Sequence, residues 1–345
     1  MANNNHFLKF RVENFKRFDE FELDNLGQFN LIVGDNNVGK SSVLEALMFD
    51  RNQERFLEYL FYVLYEVKQF DGLKEWFMTQ YLKSLPRKNL DRIKFEALFA
   101  DKSIFSSSLV FKNSRDHYWA NGEENTEVKN VFFYPQSQEV RSENAQYQNT
   151  YHNVPYVPFQ LGYSHNITDF YSKNIQPRNS RKEQFLQDLK TIIADITNLE
   201  INTVVANQPV ILVSRKSADS NLPLGTYGDG LVKLFRILIE MQIHAGKRLM
   251  IDEIDTGIHF SRMKLFWKTV ILSAKANDVQ LFATTHSDEC IKCFKEALEE
   301  TSEDIKNDAR IVHLEETDHA TQQVKAFTYK FNEFAHAVNI GNELR

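Results

Sequence analysis

LIVGDNNVGKSSVLEALMF, Leu31 to Phe49, joins an apolar run of strand character to an apolar run of helical spacing. Between them stand Gly34, Asp35, Asn36, Asn37, Val38, Gly39, Lys40, Ser41 and Ser42. Gly34, four residues, then Gly39-Lys40-Ser41 is the phosphate-loop pattern, in the strand, loop and helix context that the pattern requires. Its glycines let the backbone curl with N–H groups inward, so that the loop and the helix N-terminus form a nest for anionic oxygens. Lys40 is then expected to reach the β- and γ-phosphates of ATP, and the Ser41 hydroxyl to ligate Mg²⁺.

Upstream, FLKFRVENF (Phe7–Phe15) and FDEFELDNL (Phe18–Leu26) alternate apolar and charged residues, which predicts a hairpin ahead of the strand Phe29–Val33. The FKRF segment, Phe15 to Phe18, lies close in sequence to where an adenine ring would rest. Arg17 or Phe18 stacks on that ring, or Phe18 is core and Arg17 a turn residue.

Downstream, Phe56, Leu60, Val63, Val67 and Phe70 recur at helical spacing, and Glu58, Glu66 and Lys68 exclude a membrane span. After Pro86, IKFEALF (Ile93–Phe99) and SSSLVFKN (Ser106–Asn113) take on strand character. Residues 51–130 read as an insertion of helices and a small β arm. Residues 131–198 read as joining segments: strands at Asn130–Pro135 and Val157–Tyr163 around a polar loop, then a helix from Arg181 to Ile193. Gln136, Gln138 or Gln160, each near a strand end, is positioned in sequence to sense a γ-phosphate. Alternation in Leu199–Val205 and Pro209–Ser214 predicts a second hairpin.

A second half of the chemistry begins at Gly228-Asp229-Gly230, a glycine turn that opens an amphipathic helix carrying Leu231, Leu234, Leu238 and Met241. There too, backbone donors at a helix N-terminus suit a terminal phosphate. RLMIDEIDTGIHF, Arg248 to Phe260, then ends an apolar strand in paired acids. Asp252 is placed to hold the Mg²⁺ shell and Glu253 to polarise an attacking water as general base. Asp255 to His259 form a turn into the helix Ser261–Ala276. VQLFATTHSDE (Val279–Glu289) delivers His286 at a strand end, as a donor to the γ-phosphate. Cys290 and Cys293 have no second cysteine pair and read as helix thiols rather than a metal site. The tail offers two strands, ARIVHLEE and QVKAFTYKF, and a short helix to Arg345.

The net charge of −6 gives no global attraction to nucleic acid or to an anionic membrane. Two cysteines fit a reducing compartment, and neither a signal peptide nor a long uncharged apolar run is present, so a cytoplasmic protein without membrane association is expected.

The ordered set GDNNVGKSS, YGDGLVKL, LMIDEIDTGIH and LFATTHSDE resembles the ABC-type ATPase heads of the RecF, SMC and OLD kind, most of all stand-alone bacterial AAA-like ATPases related to OLD. The resemblance implies an α/β fold, an ABC-type P-loop NTPase head made of residues 1–50 and 199–345, with a mixed sheet, flanking helices and an N-terminal antiparallel hairpin. It implies ATP hydrolysis with Mg²⁺, and self-association in which two heads sandwich the nucleotides. Gly34, Gly39, Lys40 and Ser41 match the Walker A set, Asp252 and Glu253 the Walker B pair. Gly228, Asp229 and Gly230 match a signature acting in trans, Asp255 the D-loop and His286 the switch histidine. Here Gly-Asp-Gly stands where an LSGGQ string would be, and the sixty or so residues after His286 leave no room for the Toprim domain of OLD nucleases. The expected role is therefore nucleotide-gated control of a separate effector, a nuclease or toxin, in antiphage or genome defence. The alternative is a RecF-like repair or maintenance ATPase that grips DNA on head closure, with Lys112 and Arg115, or Arg178, Arg181 and Lys182, as small basic clusters.

Overall fold

A computed structural model describes residues 5–52, 55–56, 59, 63, 85–87, 92–110, strands between 112 and 146, 154–159, 166–203, 209–318 and 323–341. In chain order the elements begin β1 (Phe7–Phe15), β2 (Phe18–Leu23), β3 (Phe29–Gly34), α1 (Lys40–Leu47), β4 (Arg92–Phe99) and β5 (Ile104–Val110). A run of short strands follows: β6 (Lys112–Ser114), β7 (His117–Glu124), β8 (Glu127–Tyr134), β9 (Glu139–Ser142), β10 (Ala145–Gln146) and β11 (Tyr156–Val157). Next come α2 (Ile167–Asn174), α3 (Asn179–Lys190), β12 (Ile196–Asn202), β13 (Val210–Arg215), β14 (Leu222–Pro223) and α4 (Asp229–Ile243). The chain continues through β15 (Arg248–Ile251), α5 (Phe260–Ala276), β16 (Gln280–Thr284), α6 (Asp288–Glu299), α7 (Glu303–Asn307), β17 (Ala309–Asp318), β18 (Gln323–Lys330) and α8 (Phe331–Asn339).

The central sheet has the order β11-β15-β16-β3-β17-β18. Its first five strands are parallel and β18 runs antiparallel to β17. Buried side chains alternate across it as period-two geometry demands. Phe29, Leu31, Val33, Leu249, Ile251, Leu281 and Ile311 face a core shared with α4, α5 and α6, where Leu234, Leu238, Trp267 and Phe294 pack. Ile32, Met250, Phe282 and Val312 face the opposite core, with α1 and an antiparallel lobe. That lobe is a second sheet, β2-β1-β4-β5. Its interior is aromatic: Phe49 stacks on Phe95 at 5.1 Å, and Phe7 meets Phe99 edge-on at 5.1 Å. The buried Gln280 ties the lobe to the central sheet, accepting from Phe7 N and donating to Phe7 O and Gly27 O.

The predicted hairpin is β1–β2, joined through Phe15↔Phe18, and the second is β12–β13. Residues 92–110, read from the sequence as part of an insertion, instead extend the lobe, because β4 pairs with β1 and β5 with β4. Local pattern gives no hint of a partner 80 residues away. β6 to β10 form a separate five-stranded sheet. Of the strand expected at Val157–Tyr163, Val157 lies in the two-residue β11, which pairs in parallel with β15, and residues 160–163 lie outside the described residues. The last helix spans Phe331–Asn339, and residues 342–345 lie outside the described residues. Most of the helical face expected from Phe56 to Phe70, and Gln136, Gln138 and Gln160, lie outside the described residues.

Candidate functional site

In a parallel sheet the carboxyl ends of adjacent strands open on one edge, where crevices for ligands form. Here β3, β16 and β15 lie side by side, with Ile32 opposite Thr284 and Ala283 opposite Ile251. Their ends therefore bring the loop after Gly34, the Thr284–His286 segment and Asp252–Glu253 to the same edge.

The loop is shaped by residues at positive φ: Gly34 at 142°, Asn37 at 63° and Gly39 at 108°. A Cβ on Gly34 would lie 2.5 Å from Leu314 O, and one on Gly39 2.7 Å from Arg17 Cδ. Both positions need glycine for conformation and for space. No side chain caps α1, so its first amides stay available. Lys40 Nζ donates to Gly34 O at 2.6 Å and Asp35 O at 2.9 Å. Burial lowers the Lys40 pKa, while Glu253, Asp252, Asp35 and Asp255 act to raise it, so this cation sits among the acids at the sheet edge.

Ser41 Oγ donates to the buried Asp252 carboxylate at 3.0 Å, which joins residues 211 positions apart. Asp252 also accepts from Thr284 Oγ1 at 2.7 Å and Tyr156 OH at 3.3 Å. The backbone N–H of Glu253 donates to Thr284 Oγ1 at 2.8 Å, so one buried hydroxyl orients both acids. Glu253 adopts φ 45°, left-handed for a residue with a side chain, as residues at functional turns do. Its carboxylate accepts from Thr256 Oγ1 at 3.4 Å. Asp255 accepts from Thr285 Oγ1 at 2.7 Å. His286 is exposed just beyond β16.

Gly228, at φ 87°, caps α4 and Asp229 opens it; both are exposed, and no side chain caps that N-terminus. Gly230 packs on the Asp255–Ile258 turn: an added Cβ would meet Gly257 O at 3.3 Å. A cavity of about 280 Å³ beside this segment is lined by Gly228, Asp229, Ile258, His259 and Arg262 among others.

Phe18 proves to be core, stacked on Phe21 at 4.4 Å. Arg17 is no solvated turn residue: it lies against Gly39 and pairs with Glu316 at 2.7 Å. Cys290 is buried with its thiol accepting from Trp267 Nε1, and burial pushes it up to about 12, which makes it an unreactive thiol. Of the basic clusters, Arg181 donates to Asn174 O on the chain's own surface, and Arg115 lies outside the described residues.

Thr284, Thr285, Tyr156 and Lys233 went unread in the sequence. Only the Thr-Thr pair ahead of His286 carried a local signal, since hydroxyls at a strand end beside acids have polar work to do. Tyr156 and Lys233 come from elements remote in sequence.

The residues fit a nucleotide with Mg²⁺. The uncapped helix end, the left-handed glycines and Lys40 suit phosphate oxygens. The hydroxyl and carboxylate of Ser41 and Asp252 are the hard oxygen donors that Mg²⁺ takes beside phosphates and water. Among the described residues no group of three or more His, Cys, Asp or Glu forms a metal cage.

This fold with this loop defines an ABC-type phosphate-loop ATPase head. Residues 8–181, about half of the chain, match the AAA ATPase domain. The chain belongs to that family and is an ATPase. It is 24% identical to an ATP/GTP phosphatase of Helicobacter pylori, over 89% of this chain and 92% of that protein. It is 30% identical to an uncharacterized protein of Methanocaldococcus jannaschii over 107 residues, 31% of this chain and 47% of that protein. Among solved structures, an SMC head bound to the C-terminal winged-helix domain of ScpA has a TM-score of 0.53 at 12% identity, covering 96% of this chain and 99% of its own. An SMC head with an extended coiled coil, bound to the C-terminal domain of ScpA derived from Pyrococcus furiosus, has a TM-score of 0.50 at 10% identity, covering 97% and 99%. Among the described residues no helix is long and apolar enough to cross a membrane.

Proposed function

We propose that this ATPase works as a pair of heads whose closure on ATP is read by a separate protein. Lys40 and the amides of residues 34–42 hold the phosphates, and Ser41 with Asp252 holds Mg²⁺. The chemistry Mg²⁺ supplies when bound is neutralisation of charge on the phosphoryl oxygens. Glu253 takes a proton from water as its oxygen bonds to the γ-phosphorus; the β–γ bridging bond breaks, and ADP and phosphate leave. His286 donates to the γ-phosphate. Gly228, Asp229 and Gly230 close on the nucleotide held by the partner head, with Asp255 making a contact across the pair. The head comprises residues 1–50 and 199–345, together with β4 and β5.

The observation that carries this reading is the Ser41–Asp252 hydrogen bond, which joins the phosphate loop to the acidic strand end as a shared Mg²⁺ site requires. Exposure of Gly228 and Asp229 supports action in trans. The SMC head of like fold was solved with another protein's domain bound to it, which suits control of an effector, a nuclease or toxin in genome defence.

The test is the mass of the Glu253→Gln protein in solution, with and without ATP and Mg²⁺, followed by pull-down from its native cells. Hydrolysis slowed roughly 10²–10⁴-fold, as for loss of a general base, with an ATP-dependent doubling of mass and capture of one protein, supports the reading. Lys40→Ala is the control that loses nucleotide binding. Assembly indifferent to ATP, with only DNA recovered, would favour a head that grips DNA instead.

A further inference from the structure

α4 begins at the exposed Gly-Asp-Gly segment and runs directly beneath the turn that carries Glu253. One turn in from its start stands Lys233, with no solvent exposure. Its Nζ donates to Glu253 O at 2.8 Å and to Thr256 O at 2.9 Å. These two carbonyls bracket the turn in which Glu253 holds its left-handed backbone and Thr256 Oγ1 reaches the Glu253 carboxylate. Gly230 lies tight against the same turn, since an added Cβ there would meet Gly257 O at 3.3 Å. A lysine without solvent exposure is costly unless its donors are met, and here two backbone carbonyls of one turn meet them. Its placement therefore marks a geometry that has to be held.

We propose that Lys233 is a positioning residue that locks the Glu253 turn onto α4, so that the water-polarising carboxylate of one nucleotide site and the Gly-Asp-Gly segment offered to the other move as a single body. The proposal rests on the roles assigned above to Glu253 and to residues 228–230. Burial pulls the Lys233 pKa down to about 7, against Asp255, Cys290, Glu253 and Asp252, which act to raise it. As a neutral amine it still has the two N–H donors that the two carbonyls require.

The experiment compares Lys233→Met, which keeps the stem and removes the donors, with Glu253→Gln and with the double variant. The expected result is a fall in kcat of roughly 10²-fold, of the size a misplaced general base produces, with KM for ATP unchanged. The double variant should turn over no more slowly than Glu253→Gln alone, because both changes remove the same function. In the Glu253→Gln background, Lys233→Met should raise the ATP concentration needed for assembly about tenfold. Lys233→Gln, with two amide N–H donors on a shorter arm, should recover part of kcat. It is the variant measured if the methionine protein unfolds, and failure of both to fold would assign Lys233 to the core and overturn the proposal. Independent, multiplying effects of the two substitutions, or a Lys233→Met protein with ordinary kcat, would also overturn it. A Glu253→Gln protein of ordinary activity would instead sink the assignment of the base itself.

Discussion

Thr284 shows how much of this site hangs on one small side chain. Fully buried at the end of β16, it donates to Asp252 and accepts from the N–H of Glu253. Valine has the same shape and neither function. Thr284→Val should therefore strand the Glu253 N–H and remove one donor from the buried Asp252 carboxylate, costing about 1–3 kcal/mol, while Thr284→Ser keeps most of that stability. The midpoint of urea unfolding reads the difference, and ATP turnover should fall in the valine protein alone. Equal midpoints for valine and serine would show that water takes over both bonds. Asp252 and Glu253 themselves were legible in the sequence because strand ends with paired acids beside a phosphate loop have few other uses. Thr284 was not, because a hydroxyl says nothing until its neighbours across the sheet are known.

At the scale of elements, the phosphate loop is held from outside as well as by its own glycines. Arg17 and Phe18, at the β1–β2 turn, press on Gly39 from a different sheet, and Arg17 is anchored in turn by Glu316 at the end of β17. Gly39→Ala meets both a φ of 108° and an atom 2.7 Å away. Left-handed backbone alone costs a residue with a Cβ about 1–2 kcal/mol. ATP affinity, followed by titration of a fluorescent nucleotide, should drop by at least tenfold. Gly225→Ala, with nothing within 4 Å of an added Cβ, should bind ATP as the unmodified protein does. The two hairpins and the order from phosphate loop to acidic strand could be read from alternation and spacing. Pairing of β4 with β1 could not, since β-strand patterns announce a face and never a partner.

Across the whole molecule, one sheet separates two cores of different make. The helical side is mainly aliphatic with scattered aromatics such as Trp267 and Phe294, and the lobe side is rich in phenylalanine, holding 11 of the 28 in the chain. Phe49 leaves the end of α1 and touches the rings of Phe10, Phe56, Phe95 and Phe105, so it joins the phosphate-loop helix to both flanks of the lobe. Phe49→Ala should cost about 3–5 kcal/mol, a large share of the roughly 5–15 kcal/mol that holds a domain together. Calorimetry should show a lower melting temperature, and Phe49→Leu should restore most of the difference. A melting temperature unchanged in the alanine protein would mean that the lobe does not depend on that aromatic contact.

By itself the sequence determined the chemistry of the edge: a loop able to cradle phosphates, a lysine, a hydroxyl, two acids and a histidine, each read from its own neighbours. Those are local facts, set by backbone curvature and strand polarity within a few residues. Tertiary structure alone decided that Ser41 and Asp252 meet, that Thr284 and Tyr156 hold the acid in place, and that Lys233 bolts the Glu253 turn to α4. Each of these joins parts of the chain separated by tens to hundreds of residues, and packing β11, β15, β16 and β3 side by side, with α4 against the sheet, brings them within a hydrogen bond.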